Sequence, residues 1–150
     1  MSEAQRARDP EGRFTVVPPP GWSAAPDEDQ GGLELWHEDG VGTLHLISFD
    51  AGDDFADPAE ELYAFLDDRG VELEDDDVDD LPLEGDAELA VAEYEAEDED
   101  EGDALFWLTG VASAPGVLLF ATYLCPAGEQ EAEVELVRQA LGTLRLTPAA

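Results

Sequence analysis

Residues 103–125 read DALFWLTGVASAPGVLLFATYLC. Two β-rich apolar runs, 103–112 and 117–125, flank Ser113-Ala114-Pro115-Gly116. Adjacent Pro and Gly between two such runs mark the turn of a hairpin. Leu105, Phe106, Trp107 and Leu108 are apolar in succession, and so are residues 117–121. A strand with one wet face alternates apolar and polar residues. A continuous apolar run predicts cover on both faces. Two neighbouring strands of that kind belong in the middle of a sheet, with further layers above and below it.

The rest of the chain supplies those layers. Leu33–Glu38 and Thr43–Phe49 flank Asp39-Gly40-Val41-Gly42 and read as a second hairpin. Phe14–Val17 is a short strand stopped by Pro18-Pro19-Pro20-Gly21 before Trp22, and residues 23–31 read as a polar loop. At Asp57-Pro58-Ala59-Glu60, Asp57 is placed to cap a helix and Pro58 fits its first position. Leu62, Phe65 and Leu66 give that helix an apolar face, and Gly70 ends it, so the expected span is 58–69. Val78–Leu83 reads as an edge strand because Pro82 cannot serve a central ladder. Glu88–Glu95 is a further strand. A second helix is expected over 129–141, with Val134, Val137 and Leu141 as its inner stripe. Glu129, Glu131, Glu133 and Glu135 crowd its first half, where acids favour the helix dipole. The expected architecture is α+β: an α/β/α sandwich with a central antiparallel sheet and one main helix on each face. Residues 1–12 read as a flexible polar tail and residues 13–147 as one domain.

The order strand, Pro20-Gly21-Trp22, hairpin to Phe49, helix from Pro58, Gly85-Asp86-Ala87 before Leu89–Tyr94, and a final helix into Leu141-Gly142-Thr143-Leu144 resembles the PsbP-like fold. That fold is shared by the PsbP subunit of the oxygen-evolving complex, a Ran-binding nuclear-import factor and many bacterial proteins. The resemblance covers about residues 13–147. It implies a scaffold for binding other proteins, and it carries no catalytic residues onto this chain.

The chain holds 39 acidic residues against 6 basic ones, for a net charge of −33 over 150 residues. All six basic residues are Arg, and Lys is absent. Absence of Asn and a single isoleucine, Ile47, fit a GC-rich gene, which would also remove Lys. It would not remove Arg, whose codons are GC-rich, so selection for acidity is the better account. Repulsion among so many carboxylates opposes folding in dilute buffer. In about 1 M salt the Debye length falls to roughly 3 Å and the repulsion is largely screened. The composition therefore points to a monomeric protein of a high-salt cytoplasm. Nucleic acid is excluded as a partner, because the scattered Arg cannot replace phosphate counterions. Anionic membrane surfaces are excluded on the same ground. The first 13 residues hold no apolar core of a secretory signal, and no stretch approaches the roughly 20 apolar residues of a membrane span.

Candidate sites are few. His37 and His45 lie on the two strands of the second hairpin, and opposed imidazoles are the start of a metal site. A third ligand is not placed, and the expected role is that of ordinary strand residues. Asp75–Asp80 has the acidity of a calcium loop but carries Asp80 and Asp86 where that loop needs Gly and Glu. This run and Glu97–Glu101 are expected to attract cations weakly and without specificity. Cys125 ends an apolar strand with no cationic neighbour, so it is expected to be buried and unreactive. Trp36 shares a face with Glu34 and Glu38, opposite Leu33 and Leu35, which makes it the candidate anchor for a protein partner. No residue is assigned as catalytic, cofactor-binding or metal-binding. The leading expectation is a non-enzymatic protein-binding or adaptor module. The alternatives are a small hydrolase or metal-dependent enzyme with an unrecognised site, and a toxin-neutralising immunity protein.

The charge generates the first prediction. Raising KCl from about 0.05 M to about 2 M will raise the thermal unfolding midpoint markedly, because the Debye length contracts severalfold over that range. Circular dichroism melts across a salt series measure it. A midpoint that stays flat or falls removes the haloadaptation reading.

Overall fold

The computed structural model describes residues 7–9, 12–19, 21–26, 31–38, 40, 42–50, 57–68, 70, 78–83, 87–97, 104–129, 131 and 133–146. The elements in chain order are β1 (Ala7–Arg8), β2 (Phe14–Val16), β3 (Ser23–Pro26), β4 (Leu33–Trp36), β5 (Thr43–Asp50) and α1 (Pro58–Asp68). They continue with β6 (Val78–Pro82), β7 (Glu88–Glu97), β8 (Ala104–Ala114), β9 (Val117–Pro126), α2 (Val134–Leu141) and β10 (Arg145–Leu146). The fold is α+β. A seven-stranded sheet runs β3-β4-β5-β9-β8-β7-β6, and a small sheet runs β1-β2-β10. Every strand pair is antiparallel.

The decisive hairpin lies at the centre of the large sheet, as its apolar runs require. β8 and β9 pair from Leu105↔Pro126 to Ala114↔Val117, leaving Pro115 and Gly116 as a two-residue turn. Gly116 has φ +88°, a conformation open to glycine at no steric cost. The turn is tighter than the sequence implies, since Ser113 and Ala114 belong to the strand. β6 is an edge strand ending at Pro82, which pairs with Glu88.

α1 begins as its capping residues dictate. Asp57 Oδ1 accepts the backbone N–H of Ala59 at 3.0 Å. Gly70, at φ +80°, follows the helix and its N–H reaches the Asp67 carbonyl. α1 packs on β7 and β8. Its Leu62 and Leu66 are buried in one apolar cluster with Ala90, Ala92 and Val111. A second, larger cluster takes the alternate β7 residues Leu89 and Val91, together with Val137, Ala140 and Leu141 of α2. Arg138 of α2 donates from Nε to Glu93 at 2.9 Å and forms an ion pair with Asp79 at 3.2 Å.

Three sequence readings are corrected. Residues 1–12 are not wholly a tail: Ala7 and Arg8 pair with Val16 and Thr15, and Asp9 is buried, accepting the Ser48 hydroxyl at 2.8 Å. The apolar face of β2 needs that cover, since Phe14 and Val16 are buried. Residues 23–31 are not simply a loop, because Ser23–Pro26 pairs along β4 and forms the outermost strand. The segment Ser-Ala-Ala-Pro has no apolar alternation, and only the exposed ladder of β4 makes it a strand. The final helix starts at Val134 rather than 129.

Leu66→Ala will lower unfolding free energy by about 2–5 kcal/mol, the usual range for a buried leucine that leaves a cavity. Urea unfolding in molar KCl will measure it. A loss near zero would mean that α1 does not hold its face of the sheet.

Candidate functional site

The face on which α1 packs is only partly covered. β9 shows why. Its odd residues, Leu119, Ala121, Tyr123 and Cys125, are buried, while the even residues Leu118, Phe120, Thr122 and Leu124 are half-buried. The apolar succession predicted cover on both faces, and the structure corrects this for β9. β8 is covered on both faces from Leu108 onward, but Leu105 and Trp107 are half-buried too. The half-covered residues line a cleft of about 790 Å³. Ligand clefts commonly fall in the range of about 300–1,000 Å³ and are mostly apolar, with a few polar groups.

Register places the cleft's groups. Phe120 and Thr122 of β9 lie beside Ile47 and His45 of β5, and His45 lies beside Glu34 of β4. Leu124 lies between Thr43 on one side and Trp107 on the other. Phe65 of α1 closes the cleft at the Phe120 end, with ring centroids 5.2 Å apart. Phe49 meets Phe120 edge-on at 5.8 Å and keeps 46% of its surface exposed. Among the described residues it is the large apolar side chain left exposed. Trp107 stacks on Tyr94 at 6.1 Å, and its indole nitrogen is buried with no hydrogen-bond acceptor among the described residues.

The predicted site residues fare differently. The β4–β5 register puts His45 opposite Glu34, and His37 lies beyond the paired residues. The two histidines are therefore not opposed. His45 Nε2 is 2.9 Å from the Gly31 carbonyl, and the His37 ring lies against Gly21. No cluster of three metal-ligating side chains occurs among the described residues. Trp36 is on the face opposite Leu33 and Leu35 as expected, but it is half-buried, and the exposed aromatic on that face among the described residues is Phe49. Phe49 sits at the end of an apolar strand, where nothing in the sequence distinguishes covered from uncovered. Cys125 is buried, and burial pushes its thiol above the ordinary range. Of the acidic run, Asp79 and Asp80 lie in β6, while 75–77 and 98–101 fall outside the described residues.

One buried carboxylate was missed. Glu133 is read from sequence as one of four acids at a helix start. In the structure it is buried, and its Oε1 accepts the Tyr123 hydroxyl at 2.7 Å and the Gly42 N–H at 3.0 Å. It sits at the N-cap of α2 but makes no side-chain capping bond, because the carboxylate is committed to β9 and to the loop before β5. That commitment sets where the helix starts. A Cβ on Gly40 would collide with the same carboxylate. Glu133 thus ties α2 to Gly42, which is part of the cleft wall. The signal available in sequence was a second glycine, Gly42, beyond the Asp39-Gly40 turn.

Comparison with solved structures follows the same architecture. The solution structure of cyanobacterial PsbP (CyanoP) from Synechocystis sp. PCC 6803 matches with a TM-score of 0.64 at 14% identity, covering 98% of this chain and 95% of that one. This chain has the PsbP-like fold. A crystal structure from Bacteroides thetaiotaomicron VPI-5482 matches with a TM-score of 0.69 at 12% identity and 97% coverage of this chain. The chain spans about half the length of that protein, 49%. No protein-family model matches the chain, and no curated protein matches it. At these identities the PsbP-like likeness concerns the fold. No helix among the described residues is long and apolar enough to cross a membrane.

Burial, and then the Glu133 hydrogen bond, push the Tyr123 hydroxyl well above its ordinary range. An ordinary tyrosine ionises near pH 10. The unfolded chain therefore releases this proton at a lower pH than the folded chain. Stability is unaffected by this group below about pH 10 and falls as pH rises beyond it. Absorbance titration at 295 nm in molar KCl will show one of the 3 tyrosines ionising only as the chain unfolds. Tyr123→Phe will remove that step. Three tyrosines titrating together in the folded state would contradict the buried Glu133–Tyr123 pair.

Proposed function

We propose that this protein is a non-enzymatic binding module, acting as a monomer in a high-salt cytoplasm, that receives a protein partner on the cleft beside α1. The observation that carries the reading is Phe49, an exposed aromatic at the rim of an apolar cleft. Exposed apolar surface of this kind marks interaction sites, and aromatic side chains dominate interface energies. The two apolar clusters support a sandwich with one helix on each face. Alternate residues of β7 point to opposite faces, and they divide between the α1 cluster and the α2 cluster. On that arrangement the uncovered half of the α1 face is the part of the sheet free to meet another molecule. Cys125 and His45 both line the cleft. The thiol, pushed up by burial, is a poor nucleophile, which favours binding over covalent chemistry.

Affinity capture from native lysate in about 2 M KCl, comparing wild type with Phe49→Asp, tests the reading under screened conditions. A specific partner retained by the wild type will be lost from the variant, with affinity reduced about tenfold or more, as for an interface hot spot. Identical capture by both proteins would sink the proposal.

A further inference from the structure

In an antiparallel pair every second residue turns its N–H and C=O toward the partner strand, and the residues between turn theirs away. Two hydrogen bonds set that phase in the large sheet. Just past the β6–β7 pairing, the Leu83 N–H donates to the Ala87 carbonyl. Asp79 and Leu81 therefore turn toward β7, while Val78, Asp80 and Pro82 turn outward. Just past the β8–β9 pairing, the Ala127 N–H donates to the Ala104 carbonyl. The odd residues of β9 therefore turn toward β8, and its even residues turn toward β5. Carried through the β5–β9, β4–β5 and β3–β4 registers, the alternation turns Ser23 and Ala25 toward β4. Ala24 and Pro26 then turn outward. Each outermost strand of the seven-stranded sheet thus has a proline at an outward position, and no described residue pairs beyond either one.

An open edge offers unpaired N–H and C=O groups to any extended chain, and short strands, charge and proline are the usual guards. The small sheet is guarded by length, since β1 and β10 have two residues each. On β6, Asp80 would face its own copy across a twofold axis, and like charges directly opposite are unfavourable. β3, Ser23-Ala24-Ala25-Pro26, carries no charge. The net charge of −33 holds whole copies apart in dilute buffer, but at about 1 M salt it acts over roughly 3 Å. Proline does not depend on salt. Two β3 strands meeting about a twofold axis at Ala25 would set Ala24 opposite Pro26 in both directions. Each such pair would exchange two hydrogen bonds, and the missing proline N–H deletes one of them from each pair. On β6, Val78 opposite Pro82 loses the same two bonds. We propose that Pro26 and Pro82 keep copies of this chain from joining edge to edge where salt has screened their charge. The proposal rests on the reading above of a monomer in a high-salt cytoplasm, and it names the groups that hold it single.

Sedimentation velocity of the full chain in about 0.3 M and about 2 M KCl tests it. Wild type will be a monomer at both. Pro26→Thr regains the two deleted bonds, and in the higher salt its dimerisation constant will exceed the wild-type limit by about thirtyfold, the strength of two ordinary hydrogen bonds. Association will be weaker at the lower salt, where repulsion reaches further. Pro82→Thr will behave alike. Pro26→Thr combined with Ala24→Pro moves the stop to the other outward position and will restore the monomer. The β3–β4 bonds, made by Ser23 and Ala25, survive that change. Pro26 is exposed, so its substitution leaves the core untouched, and circular dichroism verifies the fold of each variant. Hydrogen exchange of the new backbone amide at position 26 will slow in the dimer.

The proposal is overturned for an edge whose threonine variant stays monomeric in the higher salt. It is also overturned if the Ala24→Pro double variant dimerises as Pro26→Thr does, or if the amide at position 26 exchanges as fast in the dimer as in the monomer. If wild type and both proline variants all stay monomeric, the proposal falls and the monomer reading stands. If wild type itself associates in the higher salt, both fall.

Discussion

An α1 of eleven residues is too small for the sheet beneath it. A helix is about 10 Å wide, and strands repeat every 4.8 Å or so, which means that one helix covers about two strands. α1 covers β7 and β8. The sheet has seven strands, and on the same face α1 reaches β9 at Leu118 and Phe120, with no helix over β5 among the described residues. Everything distinctive about the α1 face follows from that mismatch. The half-buried even residues of β9 and the exposed Phe49 are consequences of one short layer over a wide one.

Opposite the cleft's aromatic end, the structure depends on a buried acid. Glu133 gathers the Tyr123 hydroxyl and the Gly42 N–H on a single carboxylate oxygen. A buried acceptor with two donors is well placed, and removing it would strand both donors at a cost of about 1–3 kcal/mol each. The arrangement holds the helix start, Gly42 and Tyr123 together. Thr143 plays a smaller part of the same kind, accepting the Val17 N–H at 2.8 Å and so fastening β2's exit to the end of α2.

The charge shapes what such a cleft can recognise. In dilute buffer a chain of −33 attracts any cation, and specificity for a basic partner would be poor. Screening at molar salt removes that long-range field and leaves contact interactions to decide.

Much of the fold was legible in the sequence. The central hairpin, the Asp57 cap, the span of α1, the β6 edge at Pro82 and the β4–β5 hairpin all rest on local signals. Turn chemistry, capping residues and apolar runs act over a few residues, and the chain states them directly. β3 and β1 were not legible, because Ser23–Pro26 and Ala7–Arg8 become strands only through the open ladders of β4 and β2. The cleft was hidden for a related reason. Phe120 and Leu124 lie in an apolar run identical in character to fully buried residues, and whether a second layer reaches them depends on the length and seat of α1. His37 and His45 looked like a pair until the register set them apart. Glu133 looked like three other acids until burial chose it. Composition by itself determined the charge. Coverage, register and burial are relations between distant segments, and only tertiary packing could decide them.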